Sequence, residues 1–233
     1  MSNEPVMPNS SPSFLQTWVN ALTKPREETY VAIAASAQAK SMTAYLWVFL
    51  ASIVSSLLTL IVQGSAIRSQ LGEAGVGGEL GGGVGAIVVT LLCGTPIAAV
   101  IATAIFAVFV ALVQWIAKMF GGKGNNDRLA YTAAAIAAPY SLVSGVFVLL
   151  SAIPYVGFCF RIILALAGLY IIVLEIMAVK AVNQFGWGQA IGSYFIPGLA
   201  LLLICCCVAV IIGSITGLAL GNVWSTINQS LNP

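Results

Sequence analysis

The chain has 233 residues, of which 60% are hydrophobic and only 7% charged, with a net charge of +2. An ordinary soluble domain carries about 25% charged residues, so there is too little charge here to coat a fold that lives in water. The small positive balance gives no electrostatic grip on nucleic acid, and a chain without histidine lacks the commonest metal ligand and proton shuttle.

Residues 1–12 are polar and proline-bearing and read as a disordered tail. No uninterrupted apolar stretch precedes a small-residue cleavage site in the first forty residues, so no cleaved signal peptide is expected. Ser11-Pro12 reads as a helix start, serine at the cap and proline at the first helical position. Phe14, Leu15, Trp18, Val19 and Leu22 then share one helical face, opposite Ser13, Gln16, Thr17 and Asn20. That is a short amphipathic helix, suited to the membrane surface or to packing under a bundle, with Phe14, Trp18 and Leu22 as its surface anchors. Lys24-Pro25 restarts a helix whose first turn holds Glu27 and Glu28, where the positive helix end favours acids. Tyr30, Ile33, Ala34 and Ala37 continue a weak apolar stripe. Residues 13–40 are thus expected to form cytoplasmic amphipathic helices.

About twenty apolar residues cross the roughly 30 Å hydrocarbon core at about 1.5 Å per residue. Five stretches of that kind follow: about 44–62, 97–118, 129–150, 158–179 and 191–218. The expected fold is all-α, a polytopic integral membrane bundle of five transmembrane helices over residues 41–221, with an outer C-terminal tail over 222–233. Between the first two spans, residues 64–85 are glycine-rich and read as a loose outer loop. Val84–Cys93 is too short to cross alone. It reads either as a re-entrant or interfacial piece or as an extension of the second span beyond a kink at Gly94-Thr95-Pro96.

Lysine and arginine set the orientation, because positive loops stay on the cytoplasmic side. With five spans, Lys24, Arg26, Lys40, Lys118, Lys123, Arg128 and Lys180 fall on one side, and only Arg68 and Arg161 on the other. The N-terminus is therefore expected in the cytoplasm and the C-terminus outside, in the inner cell membrane if the source is prokaryotic.

The stretch KMFGGKGNNDRLAY, residues 118–131, crowds glycines and charges together. A phosphate-cradling loop needs G-x-x-x-x-G-K-[ST] after a strand. Here Gly122-Lys123 is followed by Gly124, and Ala117 stands where the first glycine belongs, so no nucleotide and no other cofactor is expected. A tight cytoplasmic reversal accounts for every residue: Gly121, Gly122 and Gly124 permit the turn, Asn126 or Asp127 caps the next helix, and Lys123 and Arg128 hold the loop in the cytosol. Ala133, Ala134, Ala135, Ala137 and Ala138 narrow the third span so that a neighbour approaches closely, and Pro139 is expected to kink it. Pro197 would do the same in the fifth span.

Ala209, Gly213, Gly217 and Gly221 recur every four residues, a smooth stripe that serves packing within the monomer or a homodimer seam. No cysteine pair has metal spacing. The five cysteines read as small apolar packing residues, with lipidation of one at the membrane edge as the alternative. Glu175 is the acidic residue inside a span, a functional candidate by default. It lies near the cytoplasmic end with Lys180 close in sequence, so a structural role competes with contact to an ion, a proton or a partner.

Four stretches together resemble the Yip family of five-span, Rab-interacting membrane proteins, which has prokaryotic relatives. Trp18, Leu22 and "TKPREETY" resemble its N-terminal pattern. "MFGGKGNNDRLAYTAAAIAAPY" resembles its glycine loop and small-residue helix with proline. Ile153-Pro154 and Gly157 resemble its I-P-x-x-G turn. "LYIIVLEIMAVKAVNQFGWGQAI" resembles the ending that surrounds its last cytoplasmic loop. The resemblance covers roughly residues 18–218. Two positions where members often carry histidine, near Trp115 and at Asn183, have none here, and Glu175 replaces a usual apolar or aromatic residue. In eukaryotic members the resemblance implies vesicle trafficking, membrane shaping and binding of prenylated Rab GTPases through the cytoplasmic N-terminal region, which is short here; for a prokaryotic-type member it implies no defined activity.

Three readings follow. The first is a non-enzymatic membrane organiser or adaptor. Its cytoplasmic face joins the N-terminal helices, Gly121–Arg128 and Lys180–Gln189, and its partners are membrane lipids and a protein. Lys123, Asp127, Arg128, Pro139 and Lys180 join Glu175 as its candidate functional residues. The second is a small transporter or channel using the helix breaks and Glu175. The third is an intramembrane enzyme, for which the paired titratable groups of general acid–base chemistry are missing.

Overall fold

In the computed structural model the described residues are 13–73, 90–151, 153, 155, 157–204, 206, 207 and 210. All of their regular elements are helical. Helix α1 (Phe14–Thr23) is capped by Ser13, whose Oγ accepts from the Gln16 N–H. The cap therefore falls two residues later than Ser11, where serine-proline had placed it. Helix α2 (Glu27–Ala34) carries Glu27 and Glu28 in its first turn. Tyr30, Ile33 and Ala34 are buried, and Ala37, beyond the helix end, is exposed.

Helix α3 (Ser41–Glu73) contains the first span, Ser41–Leu60, and continues through residues 64–73. That part of the proposed outer loop is helical, because no glycine run begins until after Glu73. A π-helical turn, Thr90–Gly94, leads into α4 (Thr95–Met119), with Pro96 in its first turn where the missing N–H is not needed. Residues 90–93 therefore extend the second span, Leu92–Met119, while residues 84–89 lie outside the described residues.

Helix α5 (Asn126–Leu150) starts at Asn125, whose side chain accepts from the Asp127 N–H. The cap is Asn125 rather than Asn126 or Asp127, because Asn125 holds the extended backbone that a cap requires. The helix runs unbroken through Pro139. Helix α6 (Gly157–Asn183) follows a tight turn in which Tyr155 takes a positive φ of 68°. A Cβ on Gly157 would stand 2.2 Å from the Ser151 carbonyl oxygen, so only glycine fits there. The last described span is α7 (Trp187–Ile204), also continuous through the buried Pro197. Ala209, Gly213, Gly217 and Gly221 lie outside the described residues.

The core runs through α3, α5 and α6. Helix α5 is the central rod: it packs most extensively on α3 and also meets α4, α6, α1 and α2. Its small residues make this possible. Ala130, Ala134, Ala135 and Ala138 are fully or almost fully buried. A Cβ on Gly145 would lie 3.1 Å from Leu58 and 3.3 Å from Ser55 Oγ, so the two backbones approach closely there. The free cysteines Cys93, Cys159, Cys206 and Cys207 are exposed, facing outward rather than packing inside as expected.

Candidate functional site

The glycine-lysine loop between α4 and α5 is a backbone clasp on the end of α6. Gly121 takes a left-handed φ of 85°, which turns the chain after α4. The Lys123 N–H then donates to the Asn183 carbonyl at 3.1 Å, and the Gly124 N–H donates to Asn183 Oδ1 at 3.2 Å. Gln114 Nε2, one turn before the end of α4, donates both to the Gly124 carbonyl at 3.0 Å and to Asn183 Oδ1 at 2.9 Å. Asn183 Nδ2 closes the set on the Val179 carbonyl. Asn183 is wholly buried, so these partners are what make its polarity tolerable in the interior. Cβ atoms on Gly122 or Gly124 would approach Asn183 Oδ1 to 2.7 and 2.5 Å. The glycines let the loop lie against an asparagine, and the backbone N–H groups that a phosphate would require are already spent. Lys123 and Arg128 are exposed above this clasp, and Asp127 sits in the first turn of α5.

The same end of the bundle receives the N-terminal helices. Trp18 lies edge-on to Phe14 and to Trp47 of α3, with ring centroids 5.6 Å apart in each pair, and Trp47 continues to Tyr131 of α5. Ala21 and Tyr30 are completely buried, and Leu22 packs against the core. The Tyr30 hydroxyl donates to the Ala21 carbonyl at 2.9 Å, and the Tyr170 hydroxyl of α6 donates to the Leu22 carbonyl at 2.8 Å. These are carbonyls that the end of a helix leaves without intrahelical donors. Burial pushes the Tyr30 phenol well above its ordinary value, and Tyr170 acts in the same direction. Lys180 donates to Glu27, tying α6 to α2, and its ammonium lies 5.3 Å from the Trp187 ring centre, a cation–π distance.

The predicted amphipathic face therefore divides. Trp18 and Leu22 turn into the bundle, so they hold the helix rather than anchor it in headgroups. Phe14, Leu15 and Val19 stay 51%, 57% and 58% exposed. Gln189 adds a further tie at this end, its Nε2 donating to the Phe120 carbonyl.

Glu175 lies about 12 Å along α6 from Asn183, at 1.5 Å per residue. It accepts from the Tyr194 hydroxyl of α7. Lys180, which seemed its natural partner by sequence distance, is engaged with Glu27 instead. Beside Glu175 is a cavity of about 40 Å³ walled by Phe106, Phe109, Val113 and Ala133 together with Tyr194. Phe109 and Tyr194 meet edge to face at 5.4 Å. Pro139 lies buried in α5 and does not line this cavity. Among the described residues no group of histidine, cysteine or acidic side chains could hold a metal ion.

Gln114 and Tyr194 are the participants that sequence reasoning passes over. An uncharged amide in an apolar helix raises no alarm, and nothing in local spacing says that residues 175 and 194 face each other. The signal available was Asn183, already marked as a position where relatives differ.

Five helices long and apolar enough to cross a bilayer, with the N-terminal helices packed on one end of them, define an integral multi-pass membrane protein of the all-helical class. The chain belongs to the Yip1 domain family, whose pattern matches residues 19–211. Comparison with curated proteins finds no match, nor does comparison with solved structures.

Proposed function

We propose that the protein is a non-enzymatic membrane organiser or adaptor that works through the end of the bundle where α1, α2, the Gly121–Arg128 loop and the α6–α7 connection meet. The observation that carries this is the two-sided use of α1. Its inner face is fixed by Trp18, Ala21 and two tyrosine hydrogen bonds, yet Phe14, Leu15 and Val19 stay uncovered. An apolar ridge on a helix so held, together with the exposed Lys24, Arg26, Lys123 and Arg128, fits an anionic headgroup layer, where each cation near the surface contributes about 1 kcal/mol. It equally presents a surface to a protein partner at that level.

On this reading the end with these cations faces the cytoplasm, in the inner cell membrane for a prokaryotic source. Catalysis has no support in the residues: the chain has no histidine, and Glu175 has a tyrosine rather than a second acid or base as its neighbour. The test uses the intact protein, because removing residues 1–40 would strip core residues such as Tyr30 and Ala21 from the fold. The double variant Leu15→Ser, Val19→Ser alters only exposed side chains and spares the contact between Phe14 and Trp18. It is expected to keep the melting temperature in detergent, to lose preference for anionic over neutral nanodisc lipid, and to lose proteins that co-purify with the wild type. Unchanged lipid preference together with unchanged co-purifying proteins would sink the reading.

A further inference from the structure

The cavity beside Glu175 has a composition that the adaptor reading does not use. It is about 40 Å³, and a water needs about 10–15 Å³ on this measure, so it admits a guest a few heavy atoms in size. One wall is a carboxylate and a phenol oxygen, Glu175 and Tyr194. The other walls are the rings of Phe106 and Phe109 and five aliphatic side chains, Val113 and Ala133 among them. A carboxylate at membrane depth is costly unless a proton or a cation offsets it. Among the described residues the one ion pair is Lys180 with Glu27, so no lysine or arginine performs that task for Glu175. Of the titratable or charged side chains on the helices packed around the cavity, only Tyr194 faces Glu175.

We infer that this cavity is a binding site for a small monovalent cation of the ammonium class, ammonium itself or a primary alkylammonium such as methylammonium. Ring faces attract a weakly hydrated cation through their quadrupole, and the attraction strengthens as water is excluded. The carboxylate supplies the countercharge and, with the tyrosine oxygen, accepts N–H donors. A hard metal cation is poorly served, because it takes six or more oxygen ligands and only two residues here offer oxygen. The site lies on α4, α5, α6 and α7 and does not depend on how α1 meets lipid.

The experiment is equilibrium binding of radiolabelled methylammonium to the intact protein in nanodiscs, in alkaline buffer. Saturable binding is expected, displaced by ammonium and far less by tetramethylammonium, which has no N–H to donate to the carboxylate and the tyrosine oxygen. Glu175→Gln keeps the shape and is expected to lower affinity at least about tenfold, or 1.4 kcal/mol. Ala133→Val leaves the carboxylate in place and narrows the cavity, so it too is expected to weaken binding. This second variant carries the test should Glu175→Gln fail to fold. Absence of saturable binding to the wild type overturns the inference. So does undiminished binding by either folded variant, or displacement by tetramethylammonium as effective as by ammonium.

Discussion

Tyr30 and Tyr170 approach α1 from two different helices and donate to consecutive carbonyls, Ala21 and Leu22. Removing the Tyr30 hydroxyl leaves the buried Ala21 carbonyl without that donor. Tyr30→Phe is therefore expected to destabilise the protein by about 1–3 kcal/mol, read as a lower melting temperature in detergent. The sign of its pH dependence follows from the raised phenol. A group whose folded value lies above its unfolded one contributes fully below the unfolded value, here 10.0, and loses that contribution as pH climbs past it. The gap in stability between wild type and Tyr30→Phe should hold steady at neutral pH and shrink in strongly alkaline buffer; a gap that widens there would contradict the assignment. At Gly124, an added methyl would meet Asn183 Oδ1 at 2.5 Å and Val182 at 2.9 Å. Gly124→Ala is expected to cost about 1–3 kcal/mol by overpacking. In an Asn183→Ala background that added cost should fall, leaving the Val182 share. Equal costs in both backgrounds would show that the loop does not rest on Asn183.

At the scale of helices, α5 organises the bundle because its faces are small. Ala134 is wholly buried on α5, the helix that packs most extensively on α3. Ala134→Leu is expected to force these rods apart and to lower the melting temperature by the equivalent of about 1–3 kcal/mol, whereas Val143→Leu, on the exposed side, should leave it unchanged. Comparable losses from both would remove α5 from the centre of the packing. The span count and the alanine-rich nature of this rod are legible in the sequence, because lipid forbids charge over about twenty residues and the few charges mark the ends. The tilt of the N-terminal helices is not legible. The stripe of Phe14, Leu15, Trp18, Val19 and Leu22 predicts one apolar face, but periodicity cannot say which part of a wide stripe meets protein and which meets lipid. Trp47 of α3 decides that by meeting Trp18 edge to face, with Tyr131 of α5 packed on Trp47 behind it. The same limit hides the Glu175–Tyr194 pair. A charge in a span is conspicuous, but its partner is chosen by which helices pack together, and Lys180 is drawn away by Glu27, 153 residues earlier.

Across the whole molecule, charge and hydrogen bonding give one end a distinct character. Lys24 and Arg26 flank the join of α1 and α2, Lys123 belongs to the clasp on Asn183 with Arg128 exposed in the turn that follows, and Lys180 closes on Glu27. The opposite end, at the α5–α6 turn, offers the fully exposed Tyr155 and, near it, Arg161. The bias in lysine and arginine that orients short loops therefore coincides with a structural feature, since the 121–124 loop and α2 are both tied to the last turns of α6. This makes the topology testable with two single cysteines in a background where the native cysteines are replaced by serine or alanine. On intact cells of a prokaryotic host, a membrane-impermeant thiol reagent is expected to label Tyr155→Cys, and to label Lys123→Cys only after the membrane is opened. The reverse pattern would place the basic end outside, where an anionic cytoplasmic leaflet could not attract it. The ridge of Phe14, Leu15 and Val19 would then face a different solution, and the adaptor role proposed for that end would fall with the orientation.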